Sequence, residues 1–398
     1  AIVNNVWRRG ERIWDNNSFV QGSIQKDFGD RYHTRLMAKY AYYLTKYVNK
    51  DTTVMMIDNV YRQKELYVSS SHLYNITRFW DVSAAYDVQW NTMDADMYGF
   101  VYPMRWHHFL SAATALTLGR LKMQGSIVLN YVHDRTRLAE SAGDKTVCTP
   151  AAFLSYQPFR TCDFSLRAFA KRSFRMPTFN DLYYAEMGNS QLRPEHVTQY
   201  DVGFAYKSRM GGGLITCWSV QADGYRNFVR DKIVAYPKGA QFRWTMLNLG
   251  RVRITGVDVA GSVTLNPLRD LYLTCKLQYT YQEAIDVTDP ADTYYRDQIP
   301  YIPWHSGSAI VQATWRSWSL NYSFIYTGER YNQQENIVYN HTQPWYTSDV
   351  SIARSFSWGG YSARVQLEVN NLLSQDYDVI LNYPMPKRNY RLTLSFEM

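Results

Sequence analysis

The chain has 398 residues, of which 46% are hydrophobic, 16% aromatic and 20% charged, with a formal net charge of +8. Disordered chains are poor in aromatics, so 34 Tyr, 17 Phe and 12 Trp exclude disorder, and no run approaches the ~18 apolar residues of a membrane-spanning helix. The positive charge is spread along the chain with no long Lys/Arg run, which argues against the concentrated basic face of a nucleic-acid binder.

The N-terminal stretch AIVNNVWRRGERIW lacks the order of a signal peptide and reads as the middle of a longer protein. Beyond it the repeating unit is a strand of period 2. Met123 to Tyr131, Phe164 to Ala170 and Tyr200 to Tyr206 alternate apolar and polar side chains. Leu271, Leu273, Cys275, Leu277, Tyr279 and Tyr281 alternate with Tyr272, Thr274, Lys276, Gln278, Thr280 and Gln282. Leu320 to Tyr326 continues the pattern, as does Tyr361 to Asn370. In the last run Tyr390, Leu392, Leu394, Phe396 and Met398 fall on one face, and Arg391, Thr393, Ser395 and Glu397 on the other. Such alternation sets one face in an apolar medium and the other in a polar one. Runs of about 9–13 residues match a tilted transmembrane strand. Hydrocarbon cannot satisfy a free sheet edge, so such strands close into a barrel.

The connections sort into two kinds. Short turns are expected at Gly29–Tyr32, Tyr74–Thr77, Gly119–Arg120, Gln157–Thr161, Ser208–Gly213, Asn266–Arg269, Trp315–Trp318 and Ser357–Gly360. Longer polar links are expected near 46–59, 92–105, 134–147, 175–194, 232–243, 286–304, 329–345 and 373–386. Short and long alternate throughout, as periplasmic turns and extracellular loops do in outer-membrane barrels. The expectation is an all-β fold: a transmembrane antiparallel β-barrel of about 17 strands, one barrel domain over residues 1–398. Bacterial single-chain barrels have even strand numbers, so the first strands are expected to lie outside this chain.

Several segments carry a family resemblance. Ser173-Phe-Arg-Met-Pro-Thr-Phe-Asn-Asp-Leu-Tyr-Tyr184 and Gly188-Asn-Ser-Gln-Leu-Arg-Pro-Glu195 resemble the "FRxPTFNDLYY" and "GNxxLKPE" signatures of TonB-dependent outer-membrane receptors, especially those of Bacteroidetes. Asn248, Gly250, Gly256, Val257 and Asp258 match "NxGxxxxxGVD/E". Asn370-Asn-Leu-Leu373 with Asp376-Tyr377 matches "NLFDxxY". Tyr383-Pro-Met-Pro-Lys-Arg-Asn-Tyr390 resembles the closing "YPMPGRNY", with Lys387 in place of Gly. The resemblance implies a 22-strand barrel filled by an N-terminal plug that TonB grips. The plug and about five strands are then expected outside this chain.

The resemblance also implies a function: TonB-energised import of a scarce, large nutrient across the bacterial outer membrane. Cobalamin is the first expectation, with haem or a ferric siderophore next, each as cargo rather than intrinsic cofactor. Expected partners are outer-membrane lipid, the plug and TonB, with a surface lipoprotein as a further candidate and nucleic acid excluded. A passive, plugless porin or an adhesin is the alternative from another class. An enzyme is not expected, since no GxSxG, HExxH or Walker motif occurs.

Candidate ligand residues are Arg175, Asn180, Tyr183 and Tyr184 in the 175–194 link, with Tyr331, Asn332, Gln333 and His341 in the 329–345 link. Aromatic rings can stack on a flat cargo while Arg and Asn fix its polar edge. The plainer reading of the first set is that Pro177 and Pro194 shape a loop base. His107, His108, His133, His196, His305 and His341 map to the long-link end, where a cluster of imidazoles could bind haem iron or polar ends merely tolerate histidine. Asp201, Asp258, Glu368, Arg364 and Lys276 are expected on the lumen face. Cys148, Cys162, Cys217 and Cys275 form no CxxC pair, and no metal site is expected.

Overall fold

The computed structural model describes residues 12–49, 56–183, 188–210, 213–237, 244–381 and 383–397. It is almost entirely β. In chain order the strands are β1 (Arg12–Phe28), β2 (Tyr32–Asn49), β3 (Ile57–Thr77), β4 (Trp80–Ala95), β5 (Met104–Leu118), β6 (Leu121–Arg135), β7 (Lys145–Tyr156) and β8 (Asp163–Arg175). A short helix α1 (Phe179–Tyr183) precedes β9 (Glu195–Arg209), β10 (Ile215–Pro237), β11 (Trp244–Leu268), β12 (Leu271–Asp286), β13 (His305–Trp315) and β14 (Trp318–Thr327). Next come β15 (Arg330–Tyr331), β16 (His341–Thr342), β17 (Trp345–Trp358), β18 (Tyr361–Asn370), β19 (Asp378–Ile380), β20 (Tyr383–Pro384) and β21 (Asn389–Glu397). Seventeen of these form one sheet, while β15–β16 and β19–β20 are separate two-stranded ribbons within long links.

The chain divides into two units. The first comprises Ala1–Leu154, Phe169–Thr198 and Val229–Gly250. In it β1 to β6 pair antiparallel, each with the next. One line of cross-strand partners runs Tyr40, Leu66, Trp90, Trp106. The adjacent line, on the opposite face, runs Ala41, Glu65, Asn91, Arg105, Asp134. The second unit comprises Ser155–Ala168, Gln199–Phe228 and Arg251–Met398. There Leu320, Ile352, Leu367 and Leu392 stand in one line, and Asn321, Ser351, Glu368 and Arg391 in the next. Period-2 alternation is therefore kept across neighbouring strands, so each face is uniform in character as well as each strand. On strands paired on both sides, Leu320, Ile352 and Leu367 are 48%, 42% and 46% exposed, as side chains that meet hydrocarbon must be.

Three expectations need correction. The turn after β3 is not Tyr74–Thr77. Thr77 pairs with Trp80, which leaves Arg78 and Phe79 as the turn, with a register shift between Asn75 and Thr77. Similarly the turn expected at Asn266–Arg269 lies at Arg269–Asp270, because Leu268 pairs with Leu271 after a shift from Leu265. Turn-forming Asn and Pro residues mislead here: Asn266 and Pro267 sit in a bulge, which tolerates a missing amide donor. Asp270 takes the left-handed conformation, φ 62°, that a tight turn demands. Third, the strands outrun the expected 9–13 residues: β3 has 21, β10 has 23 and β11 has 25. At ~3.3 Å per residue the sheet extends past a hydrocarbon band ~25 Å tall.

The buried side chains gather at the long-link end. Phe179 packs with Tyr61, Met93, Ala95 and Phe100. Leu182 packs with Leu192 and Ile233. Helix α1 thus fills two small cores, one with each of these side chains.

Candidate functional site

In the first unit the 175–194 link is built on a helix start. Thr178 and Asp181 cap α1 reciprocally: the Asp181 amide donates to Thr178 Oγ1 (3.1 Å) and the Thr178 amide to Asp181 Oδ2 (2.9 Å). This is the capping-box arrangement with Asp in the acidic position. Arg175 Nη2 donates to the same Asp181 oxygen at 3.1 Å. Below it Arg105 forks onto Asp134 (Nε–Oδ1 2.6 Å, Nη2–Oδ2 2.7 Å) and gives Nη1 to the Pro177 carbonyl at 2.8 Å. The guanidinium also stands over the Phe179 ring at 5.3 Å. Arg105 and Asp134 are 8% and 3% exposed, so this buried pair anchors the loop directly.

The second motif is held as tightly. Asn189 Nδ2 donates to the Met246 carbonyl (3.1 Å) and its Oδ1 accepts the Gln191 amide (3.0 Å). Asn248 accepts the Arg193 amide and donates to the carbonyls of Arg193 and Asp231. Arg193 pairs with Asp231 at 2.5 Å. Glu195 accepts the Ile233 amide at 3.0 Å. The recurrent Asn and Glu of these motifs therefore satisfy backbone groups that the irregular link would leave unpaired.

The first four candidates separate on this scaffold. Arg175 is half exposed beside Asp181, and Asn180 is exposed on α1. Tyr183 packs its ring against both small cores. Its hydroxyl accepts the Ala142 amide at 3.3 Å, and burial pushes its phenol pKa up. Tyr184 lies outside the described residues.

In the second unit the other four candidates sit together on the β15–β16 ribbon and its loop. Tyr331 is paired with His341, and their rings meet edge-on, 5.7 Å apart at 76°. His341 Nε2 lies 3.3 Å from Glu329 Oε2. Asn332 is buried, and its amide donates to the Asn340 carbonyl at 2.8 Å. Gln333 is half-buried. The loop is braced on the 286–304 link by Asn336, which exchanges bonds with the Gln298 backbone (2.6 and 3.1 Å), and by Gln334, which donates to Asp286 at 3.1 Å.

The histidines do not gather into a metal site. Tyr86 and His108 share a 2.9 Å bond, and Tyr279 and His305 one of 2.8 Å. His133 lies 2.6 Å from Asp144, and His196 stacks on Phe174. His107 stacks on Phe109. Among the described residues no three His, Cys, Asp or Glu side chains form a metal-ligating group.

Two residues escaped the sequence reading. Arg105 was findable: Gly119–Arg120 forms a two-residue turn, and residues equally far from it must face each other, which opposes Arg105 to Asp134. Arg330, only 2% exposed, was not findable, because a single Arg in a polar link reads as solvated.

Long alternating strands, short turns at one end and braced links at the other define a membrane β-barrel of the receptor type. The family model described as TonB dependent receptor-like, beta-barrel, matches residues 3–372, and the chain belongs to that family. It is accordingly an outer-membrane protein of a family of receptors and transporters. The chain is 27% identical over 241 residues to the vitamin B12 transporter BtuB of Photobacterium profundum, covering 60% of this chain and 36% of that one. Among solved structures it resembles the copper transporter OprC, with a TM-score of 0.75 and 15% identity over 96% of this chain and 65% of that one. The ferric-catecholate import receptor Fiu from K12 E. coli is similar, with a TM-score of 0.73 and 14% identity over 97% of this chain and 64% of that one. The chain thus spans about a third of that curated relative and just under two thirds of those structures.

Proposed function

We propose that this chain is the barrel portion of a receptor that imports a scarce, large nutrient across the outer membrane with energy from TonB. The observation that carries the reading is the family match over residues 3–372. In this reading a plug and about five further strands belong to the same receptor, and TonB acts through the plug. The share of its relatives that the chain spans supports that division. The barrel serves as a rigid conduit, and the long links capture cargo at its outer end. A surface lipoprotein covering those links is a further candidate partner.

Cobalamin is the favoured cargo. It rests on the relative being a vitamin B12 transporter. Haem or a ferric siderophore comes next. Arg175, Asn180, Tyr183 and Tyr184, with Tyr331, Asn332, Gln333 and His341, are the proposed contacts. Binding of cyanocobalamin, a ferric catecholate and hemin to the receptor purified from outer membranes tests the reading by calorimetry. Tight saturable binding of cyanocobalamin alone is expected. Failure of all three, together with a large steady conductance in planar bilayers, would favour the plugless porin.

A further inference from the structure

Arg330 sits at the start of β15 with 2% of its surface exposed. A buried guanidinium ordinarily has a carboxylate, because an unpaired charge away from water is costly. Here Nη2 reaches only the backbone carbonyls of Gln343 and Asp378, at 3.5 and 3.4 Å. Both distances exceed those of a good charge-assisted hydrogen bond. Nε is buried with no partner at all.

Four carboxylates of the neighbouring links are engaged elsewhere. Glu329 faces His341, and Asp376 faces Lys387 at 2.9 Å. Asp349 accepts the Asn371 amide, and Asp286 accepts from Thr288 and Gln334. Among the described residues none lies within ion-pair distance of Arg330.

Other donors around it are also uncommitted. Thr342 is the cross-strand partner of Arg330, so both side chains leave the same face of the ribbon; its Oγ1 is buried without a partner. Tyr301 is fixed beside them by its amide, which donates to the Tyr331 carbonyl at 2.8 Å. It holds the left-handed backbone, φ 61°, a conformation an aromatic residue adopts only when its surroundings impose it. Its hydroxyl is buried and closes no hydrogen bond of good geometry. The Leu381 amide that approaches it is itself a donor, which leaves the O–H free. The charge states of Tyr301 and Arg330 bear on each other. Trp345 stacks on Tyr377, 4.6 Å between rings, one residue before the Asp378 carbonyl that Arg330 touches. Its Nε1 is likewise buried and unpartnered.

Arg330 thus carries a charge that no carboxylate among the described residues meets, and the Tyr301, Thr342 and Trp345 donors on or beside this ribbon are buried without a partner. A water molecule could take two of these donors but leaves the charge uncompensated. A small oxyanion would answer both deficits, since the guanidinium fork matches carboxylate and phosphate oxygens. We propose that Arg330, with Tyr301, Thr342 and Trp345, forms a binding site for a small solute oxyanion of the carboxylate or phosphate class. None of these residues is among the eight proposed cargo contacts, although Arg330 and Thr342 adjoin Tyr331 and His341 on the ribbon, and the site stands whether or not the import reading holds.

The test uses the receptor extracted from outer membranes in detergent. Inorganic phosphate and acetate are titrated at constant ionic strength against chloride, and tryptophan fluorescence and melting temperature are read. A saturable response to phosphate or acetate is expected. It should weaken at least tenfold in Arg330→Gln and at least threefold in Tyr301→Phe. In oxyanion-free buffer Arg330→Gln should melt no lower than the parent, since it removes an uncompensated charge. Absence of a saturable response, or an equal response in Arg330→Gln, overturns the site. A lower melting temperature for Arg330→Gln in oxyanion-free buffer also overturns it, because Arg330 then braces the fold or meets a protein carboxylate. Should Arg330→Gln be obtained in too small an amount to titrate, Tyr301→Phe and Thr342→Val keep the cation, and an unchanged response in both is equally fatal.

Discussion

Arg105 and Arg330 are both nearly inaccessible, yet their surroundings give them opposite roles. Arg105 has a two-bond fork to Asp134 and a third bond to the Pro177 carbonyl, so its charge is compensated and it locks the 175–194 link. Removing one partner leaves the other buried and unpaired. Asp134→Asn or Arg105→Leu should therefore cost about 3–5 kcal/mol, read as a fall in the denaturant midpoint, and the double variant Arg105→Leu/Asp134→Leu should recover part of it. Equal losses in the singles and the double would mean that the pair carries no coupling. A smaller effect is expected at Asp144, whose carboxyl is held below its ordinary value by hydrogen bonds from Tyr131 and His133. A depressed acid contributes stability above its unfolded pKa of about 3.9 and loses it as the pH falls through the lower folded value. The melting difference between Asp144→Asn and the parent should thus be present at neutral pH and shrink as the pH falls below about 3.9. A difference that persisted unchanged at the acid end would remove the ionic explanation.

At the level of strands and turns, sequence periodicity carried most of the information because a strand's two faces meet different solvents. The pairing of Ile352 with Leu367 and of Phe356 with Ala363 follows from alternation plus the short turn at Gly359–Gly360. The errors arose where turn-forming residues occupy bulges: Asn75 and Asn266 lie at register shifts, whereas Arg78–Phe79 and Arg269–Asp270 make the turns. Local composition marks chain reversal poorly when a sheet tolerates an extra residue. Nor could strand length be read, since polar residues of the overhang above the membrane look like loop. The two faces make different predictions. Leu394→Arg places a cation on the face of Val365 and Leu367 and should cost roughly 2–4 kcal/mol if it lies at the bilayer midplane. Thr393 pairs with Gln366 on the polar face, and Thr393→Arg should be nearly neutral. Urea titrations of both variants in lipid vesicles would settle it; similar losses would discredit the assigned faces.

At the scale of the whole molecule, the candidate contacts fall on two separately braced links. Their presence in long polar segments was legible; their bracing was not, because Asn336, Asn248 and Asn189 act through backbone groups that only a folded chain brings near. The import reading lets each link make cargo contacts of its own. Asn180 is exposed and Arg175 half exposed, so truncating both to Ala should leave α1 standing on Thr178, Asp181 and the Phe179 and Leu182 cores. Tyr331→Ala with Gln333→Ala likewise spares the Asn336 and Gln334 braces. Each pair should weaken cyanocobalamin binding by more than about 1 kcal/mol, as interface contacts of this kind do when truncated. Leu182→Ala is the control, since its side chain belongs to the packing and its loss should lower the melting temperature whatever the cargo. Unchanged affinity in both pair variants, with melting lowered, would make these residues loop supports and move cargo capture elsewhere in the receptor.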